Sequence, residues 1–203
     1  MMQHWSSFPI CCGLALAVLA GPLGPAAGEP MTVADLEGTA LQAEVAFDQT
    51  ARRQGRTALV KTTQRWMLKV DPDRTVTFQL ESTARSPMGT RNAEPSRGMF
   101  TLDESRQVMG TRGRGEGVWT FADGTLTFVR TLLSGAFRVA FALRREGDRL
   151  TCAVEASFAR ETGGGPVRLR SPYTGDEVTI LQAKQMSSSC TVGKAIPASA
   201  PSQ

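Results

Sequence analysis

An alternation of apolar and polar residues with a period of two recurs from residue 39 to about residue 192, and helical periodicity is almost absent. A period of two sends successive side chains to opposite faces of a strand. In LQAEVAFD, Leu41, Ala43, Val45 and Phe47 share one face, while Gln42 and Glu44 take the other. Trp66, Leu68 and Val70 alternate with Met67 and Lys69, and Val76, Phe78 and Leu80 follow in TVTFQLES. Between those runs stands Asp71-Pro72-Asp73-Arg74, a turn in which proline pre-sets its own φ, so the two runs predict a hairpin. The second half repeats the pattern. Phe100 and Leu102, then Trp119 and Phe121, lead to an Asp123-Gly124 turn, and Leu126, Phe128 and Arg130 share the next parity. Phe137, Val139, Phe141 and Leu143 align in FRVAFAL, and Leu150, Cys152, Val154, Ala156 and Phe158 align after the EGDR turn.

These runs predict about nine to eleven short strands joined by tight turns. Residues 84–98, rich in Pro, Gly, Ser and Arg, read as a long loop, and VTILQA and CTV read as separate late strands. Residues 31–37 suggest one helical turn, with Thr32 capping it and Asp35 three residues on. Strands joined by short turns pair antiparallel with their chain neighbours. A twisted meander of this length must manage its two edges, and curling closed does so. The expected fold is all-β: an antiparallel meander forming an up-and-down barrel or strongly curled half-barrel, with a two-sheet sandwich as the alternative.

The start of the chain has another character. Phe8 to Ala20 is an uncharged apolar run, too short to span a bilayer as a helix, and small residues and prolines follow it. Every Lys, Arg, Asp and Glu lies at or after Glu29. Residues 1–28 therefore read as a signal peptide, with cleavage before Glu29, 29–193 as one barrel domain and 194–203 as a disordered tail. The expected location is periplasmic or secreted, with no membrane span once the leader is gone. A membrane barrel is disfavoured by the shortness of the runs and by a single tyrosine, which provides no aromatic girdle.

Export bears on the cysteines. Cys152 and Cys190 remain after the leader, and an oxidising compartment favours their pairing. Each shares the parity of apolar neighbours, so a core-facing structural bridge is expected. The only histidine, His4, lies in the leader. A chain without it has no Ser-His-Asp or Cys-His pair and no metal site that needs imidazole. Walker and EF-hand spacings are missing, Gly113, Gly115 and Gly117 precede no helical pattern, and no acidic residue sits on an apolar face. The reading is a binding protein rather than an enzyme, with no catalytic residues, cofactor, metal or nucleic-acid partner.

Two binding surfaces suggest themselves. The inward aromatics Trp66, Phe78, Trp119, Phe128 and Phe141 would line a cavity for a small apolar or amphipathic ligand. Arg130, at the same parity, would place an anion anchor beside them, since an inward guanidinium needs a partner. The alternative uses the outside. Nineteen of the 23 cations are arginine, and Arg160, Arg168 and Arg170 fall together near a glycine-rich turn. They would dock acidic envelope polysaccharide or lipid head groups.

The segment from Arg149 to Val192 resembles the closing part of small uncharacterised exported proteins of alphaproteobacteria. The resemblance rests on Cys152, Gly163 to Gly165, Tyr173, Cys190 and Val192. Leu36 and Gly38 before the first strand are similar to the start of lipocalin-like barrels. The resemblance implies a calycin-type barrel and no established activity.

Overall fold

The computed structural model describes residues 28–103, 108–109, 117–160 and 165–195. A short β1 (Glu29–Pro30) and a one-turn helix α1 (Val33–Leu36) precede three long strands, β2 (Thr39–Arg53), β3 (Arg56–Val70) and β4 (Thr75–Ser86). Then come β5 (Gly89–Asn92), β6 (Ser96–Thr101), β7 (Val108–Met109), β8 (Val118–Ala122), β9 (Thr125–Leu132) and β10 (Gly135–Glu146). The chain ends in β11 (Arg149–Ala159), β12 (Val167–Arg170) and β13 (Glu177–Lys194). One sheet runs β1-β10-β9-β8-β7, with β11 also paired to β10. The other runs β12-β13-β2-β3-β4-β5, with β6 also paired to β4. All pairings are antiparallel, as expected of a meander.

Both sheets curl around one core, which draws Val45, Trp66, Val76 and Phe78 from one and Trp119, Phe128, Val139 and Phe141 from the other. The sheets meet at two seams. At the first, Phe100 of β6 stacks on Trp119 of β8 with ring centroids 4.6 Å apart. At the second, β11 lies beside β13 with no ladder between them among the described residues. There the Cys152–Cys190 disulfide joins the strands, its Cα atoms 5.5 Å apart. Farther along, the Gln185 side chain stands in for a backbone partner, its Oε1 accepting from the Ala156 N–H at 2.8 Å.

One end of this curled sheet is plugged. Met31 and α1, through Val33 and Leu36, cover it, all three residues being buried. The Thr32 hydroxyl caps the helix, and Asp35 returns the bond in a capping box. Hydrogen bonds from the Thr32 backbone and hydroxyl, with Arg145 Nη2 at 2.6 Å, hold the Asp35 carboxyl below its ordinary pKa. The Asp123-Gly124 turn sits at the same end. Both residues have positive φ, and a Cβ on Gly124 would come within 2.9 Å of the Leu143 carbonyl oxygen, so the turn needs glycine there.

The structure corrects several details. Strands are longer than expected, 15 residues in β2 and in β3 and 18 in β13. Residues 84–98 are no long loop, because β4 continues to Ser86 and β5 and β6 both pair with it. β5 is exposed along its whole length, so it carries no apolar alternation to reveal it. VTILQA and CTV belong to one strand, whose two register shifts, at Ile180/Gln182 and Gln185/Ser187, break the parity. Strand length therefore no longer argues against a lipid-facing barrel; side-chain sorting does. Trp66, Leu68 and Val70 are buried inside, while Arg65, Met67 and Lys69 point outward and are exposed. Among the described residues no helix is long and apolar enough to cross a membrane. Apart from Gly28, the expected leader lies outside the described residues, as do Gly113 and Gly115. Of the expected tail, residues 196–203 lie outside them. Lys194 ends β13, and the Ala195 N–H donates to the Gly38 carbonyl at 2.7 Å.

Candidate functional site

The inward residues of β2, β3 and β4 change character along the barrel axis, and that change makes a site. At the plugged end they are bulky: Val45 and Phe47 on β2, Trp66 and Leu68 on β3, Val76 and Phe78 on β4, all buried. A polar belt comes next, made of Gln49, Thr62, Gln64 and Ser82. Beyond it the inward side chains are mostly small, with Ala51 opposite Ala58, Ala84 on β4 and Val60 the largest apolar one. Alanines do not fill the space that the curled sheets enclose there. A cavity of about 700 Å³ results, opening between the hairpin tips at Gln54, Met88 and Leu133. Phe137 and Phe158 face it across the barrel, and Leu169, Val178 and Ile180 form its apolar side.

Its charged lining has one sign. Arg53, Arg56, Arg91, Arg130 and Arg170 border the cavity, and among the described residues no Asp or Glu does. The belt is largely satisfied internally. Thr62 Oγ1 donates to Gln49 Oε1 at 3.4 Å, and Ser82 Oγ lies 2.6 Å from Tyr173 Oη. Gln64 Oε1 is buried without a hydrogen-bond partner. An orphaned carbonyl of that kind costs about 1–3 kcal/mol unless water or a ligand polar group meets it.

Tyr173 reaches the cavity from the loop between β12 and β13. Arg53 clasps that loop through an ion pair with Asp176, and Ser171 N–H donates to the Asp176 carbonyl at 2.8 Å. Burial raises the Tyr173 pKa above its ordinary 10, more than hydrogen bonds to Ser82 and Thr62 lower it. The neutral phenol is thus the form the fold favours. Its contribution is complete below about pH 10, the unfolded value, and is lost as pH rises through the higher folded value. Because the chain has one tyrosine, phenolate absorbance reads this group alone. The folded protein is expected to titrate later than the urea-unfolded chain, and Tyr173→Phe should flatten the loss of stability above pH 10. Coincident titration curves would show the hydroxyl to be solvated.

The six residues the sequence nominates for a ligand fall into two groups. Trp66, Phe78, Trp119, Phe128 and Phe141 form a continuous aromatic cluster at the plugged end. Trp66 meets Trp119, Phe128 and Phe141 with centroids 6.2, 5.4 and 5.9 Å apart, and Phe78 meets Trp119 at 5.3 Å. These rings occupy one another, and none of them lines the cavity. Arg130 does line it, because β9 runs unbroken through it and keeps the parity of Leu126 and Phe128. Of the outer arginines, Arg170 borders the mouth, Arg168 pairs with Glu177 at 3.5 Å, and Arg160 is exposed. Sequence reasoning missed the alanines and the polar belt. The available signal was the replacement of large inward residues by Ala51, Ala58 and Ala84 at unchanged parity. Among the described residues no cluster of His, Cys, Asp and Glu is arranged to hold a metal ion. Compared with known protein families, curated proteins and solved structures, the chain matches none.

Proposed function

We propose that this chain is an exported, lipocalin-like binding protein for a single-chain amphiphile with an anionic head. The tail lies against Ala51, Ala58, Ala84 and Phe137, and the head meets the arginines of the mouth. The observation that carries the reading is a cavity of about 700 Å³ whose bordering charges, among the described residues, are all arginine. That volume falls within the roughly 300–1,000 Å³ usual for small-molecule sites. Guanidinium groups are suited to carboxylate and phosphate, which they grip in pairs of hydrogen bonds. The Cys152–Cys190 bond suits an oxidising compartment, as the leader-like start of the chain does.

Titration with the anionic probe ANS, followed by displacement with oleate, tests the reading. Saturable binding to the native protein, reversed by oleate, is expected. Ala84→Phe places a ring in the empty space and should abolish displacement while leaving the urea midpoint nearly unchanged. Arg56→Gln with Arg91→Gln should weaken oleate about tenfold or more, corresponding to about 1.4 kcal/mol or more, and should leave the uncharged alcohol of the same chain length little affected. Equal loss for both ligands would remove the arginines from head-group recognition. Failure of native protein to bind either ANS or oleate would reject the reading.

A further inference from the structure

The rim of the cavity carries a feature that ligand binding does not need. Met88, at the β4–β5 tip, is 85% exposed, and Leu133, at the β9–β10 tip, is 52% exposed. Both border the same mouth as Arg56 and Arg91. Single exposed apolar residues are ordinary, and Met99 and Met186 are as exposed as Leu133; what sets Met88 and Leu133 apart is that they share one rim with the arginines. Among the described residues the charge is distributed unevenly too. Two carboxylates at this end, Asp176 and Glu177, are already paired with Arg53 and Arg168. At the plugged end the turns carry Asp71, Asp73, Asp123 and Asp148 among Arg74, Arg144 and Arg149, so that end is mixed in sign.

We infer that the open end docks mouth-down on the surface of an anionic lipid bilayer, Met88 and Leu133 entering the head-group layer and the rim arginines meeting lipid phosphates. Basic residues near an anionic leaflet and apolar side chains at its boundary act together in interfacial binding. An acidic polysaccharide would satisfy the arginines but would give Met88 and Leu133 no hydrocarbon, which is why the bilayer is the better fit. Docking in this orientation sets the cavity against the source of amphiphiles, though it stands independently of what the cavity holds.

Co-sedimentation of residues 29–203 with vesicles decides the matter. Vesicles of phosphatidylcholine containing phosphatidylglycerol should bind the protein, and pure phosphatidylcholine should bind it much less. Raising salt from about 0.1 M to about 0.5 M should release most of it, since the Debye length shortens from about 10 Å to less than half that. Met88→Asp with Leu133→Asp should weaken binding at least about tenfold, and Arg56→Gln or Arg91→Gln should weaken it about fivefold each. Arg149→Gln, at the plugged end, should change nothing. An unaltered far-ultraviolet circular dichroism spectrum and urea midpoint show that the tip variants are folded. Equal binding to both vesicle types, or no loss in the Met88 and Leu133 variant, would overturn the inference. So would salt-sensitive binding to soluble alginate of the same strength, unaffected by that variant, which would assign the rim to polysaccharide. Vesicle docking lost while ANS and oleate still bind would sink this inference alone.

Discussion

Trp66→Ala should lower the unfolding free energy by about 4 kcal/mol, within the roughly 3–5 kcal/mol seen when large aromatic residues are truncated in cores. Trp66 is fully buried on β3 and touches Trp119, Phe128 and Phe141 on three strands of the opposite sheet, so its loss strips contacts between the two sheets. One effect opposes the loss. The indole Nε1 is buried without a hydrogen-bond partner, a penalty of about 1–3 kcal/mol that truncation relieves. Trp66→Phe separates the two effects, because it keeps most of the ring contact and removes the orphaned N–H. Its cost should be under about 1.5 kcal/mol. Single domains have about 5–15 kcal/mol in all, so the alanine variant sits near the edge of folding while the phenylalanine variant does not. Urea unfolding followed by far-ultraviolet circular dichroism measures both. The same pair tests where the ligand goes. If the cavity between the hairpin tips is the site, Trp66→Phe leaves oleate affinity unchanged. A large affinity loss in a stable Trp66→Phe protein would return the ligand to the aromatic end.

That comparison shows why the fold was legible and the candidate cavity was not. Parity is a local property, and where large apolar residues alternate with charged ones it identifies the buried face. Leu41 to Phe47 and Trp66 to Val70 alternate mostly with polar or charged residues and point inward, whereas between Phe137 and Leu143 the intervening Ala140 and Ala142 are buried as well. The Thr32–Asp35 cap and the Asp123-Gly124 turn are legible for the same reason, being fixed by residues within a few positions. Parity says which way a side chain points; it does not say whether room is left over. The aromatics chosen as cavity lining are large enough to fill the space they point into, and they fill it. The cavity lies where inward residues are Gln49, Ala51, Ala58, Thr62 and Ala84, whose contrast with their outward neighbours is weak. Arg130 was readable because one strand carries it inward, whereas its company with Arg53, Arg56, Arg91 and Arg170 depends on which hairpin tips meet. The same holds for β5, exposed throughout, and for β13, whose register shifts hide one long strand behind two short patterns.

The second large effect concerns the seam between β11 and β13, where the expected disulfide lies. Replacing both cysteines, Cys152→Ala with Cys190→Ala, should destabilise the fold by about 4 kcal/mol, the chain-entropy value for a loop of this size. The cysteines lie 38 residues apart in sequence. With a urea slope of about 2 kcal/mol/M, the midpoint should fall by about 2 M. The geometry makes the bond matter more than loop size alone implies. β11 is held to β10 by a ladder of eleven residue pairs, and β13 to β2 by one nearly the full length of β13. Between β11 and β13 the described residues form no ladder, and the Gln185 side chain supplies one bond to Ala156. Beside that bond a slot of about 510 Å³ opens, lined by Phe47, Val154, Phe158 and Ser188. Phe158 also borders the main cavity, so its ring stands between cavity and slot. Without the disulfide the seam is free to part from the Cys152 end, and amide exchange along β11 and β13 should accelerate before that of β2 and β3. Gln185→Ala alone should cost about 1 kcal/mol. A midpoint shift under about 0.5 M for the double cysteine variant would mean that packing of Phe47, Phe137 and Phe158 closes the seam unaided. The expected shift, in contrast, ties full stability of the fold to a compartment that keeps the two sulfurs joined.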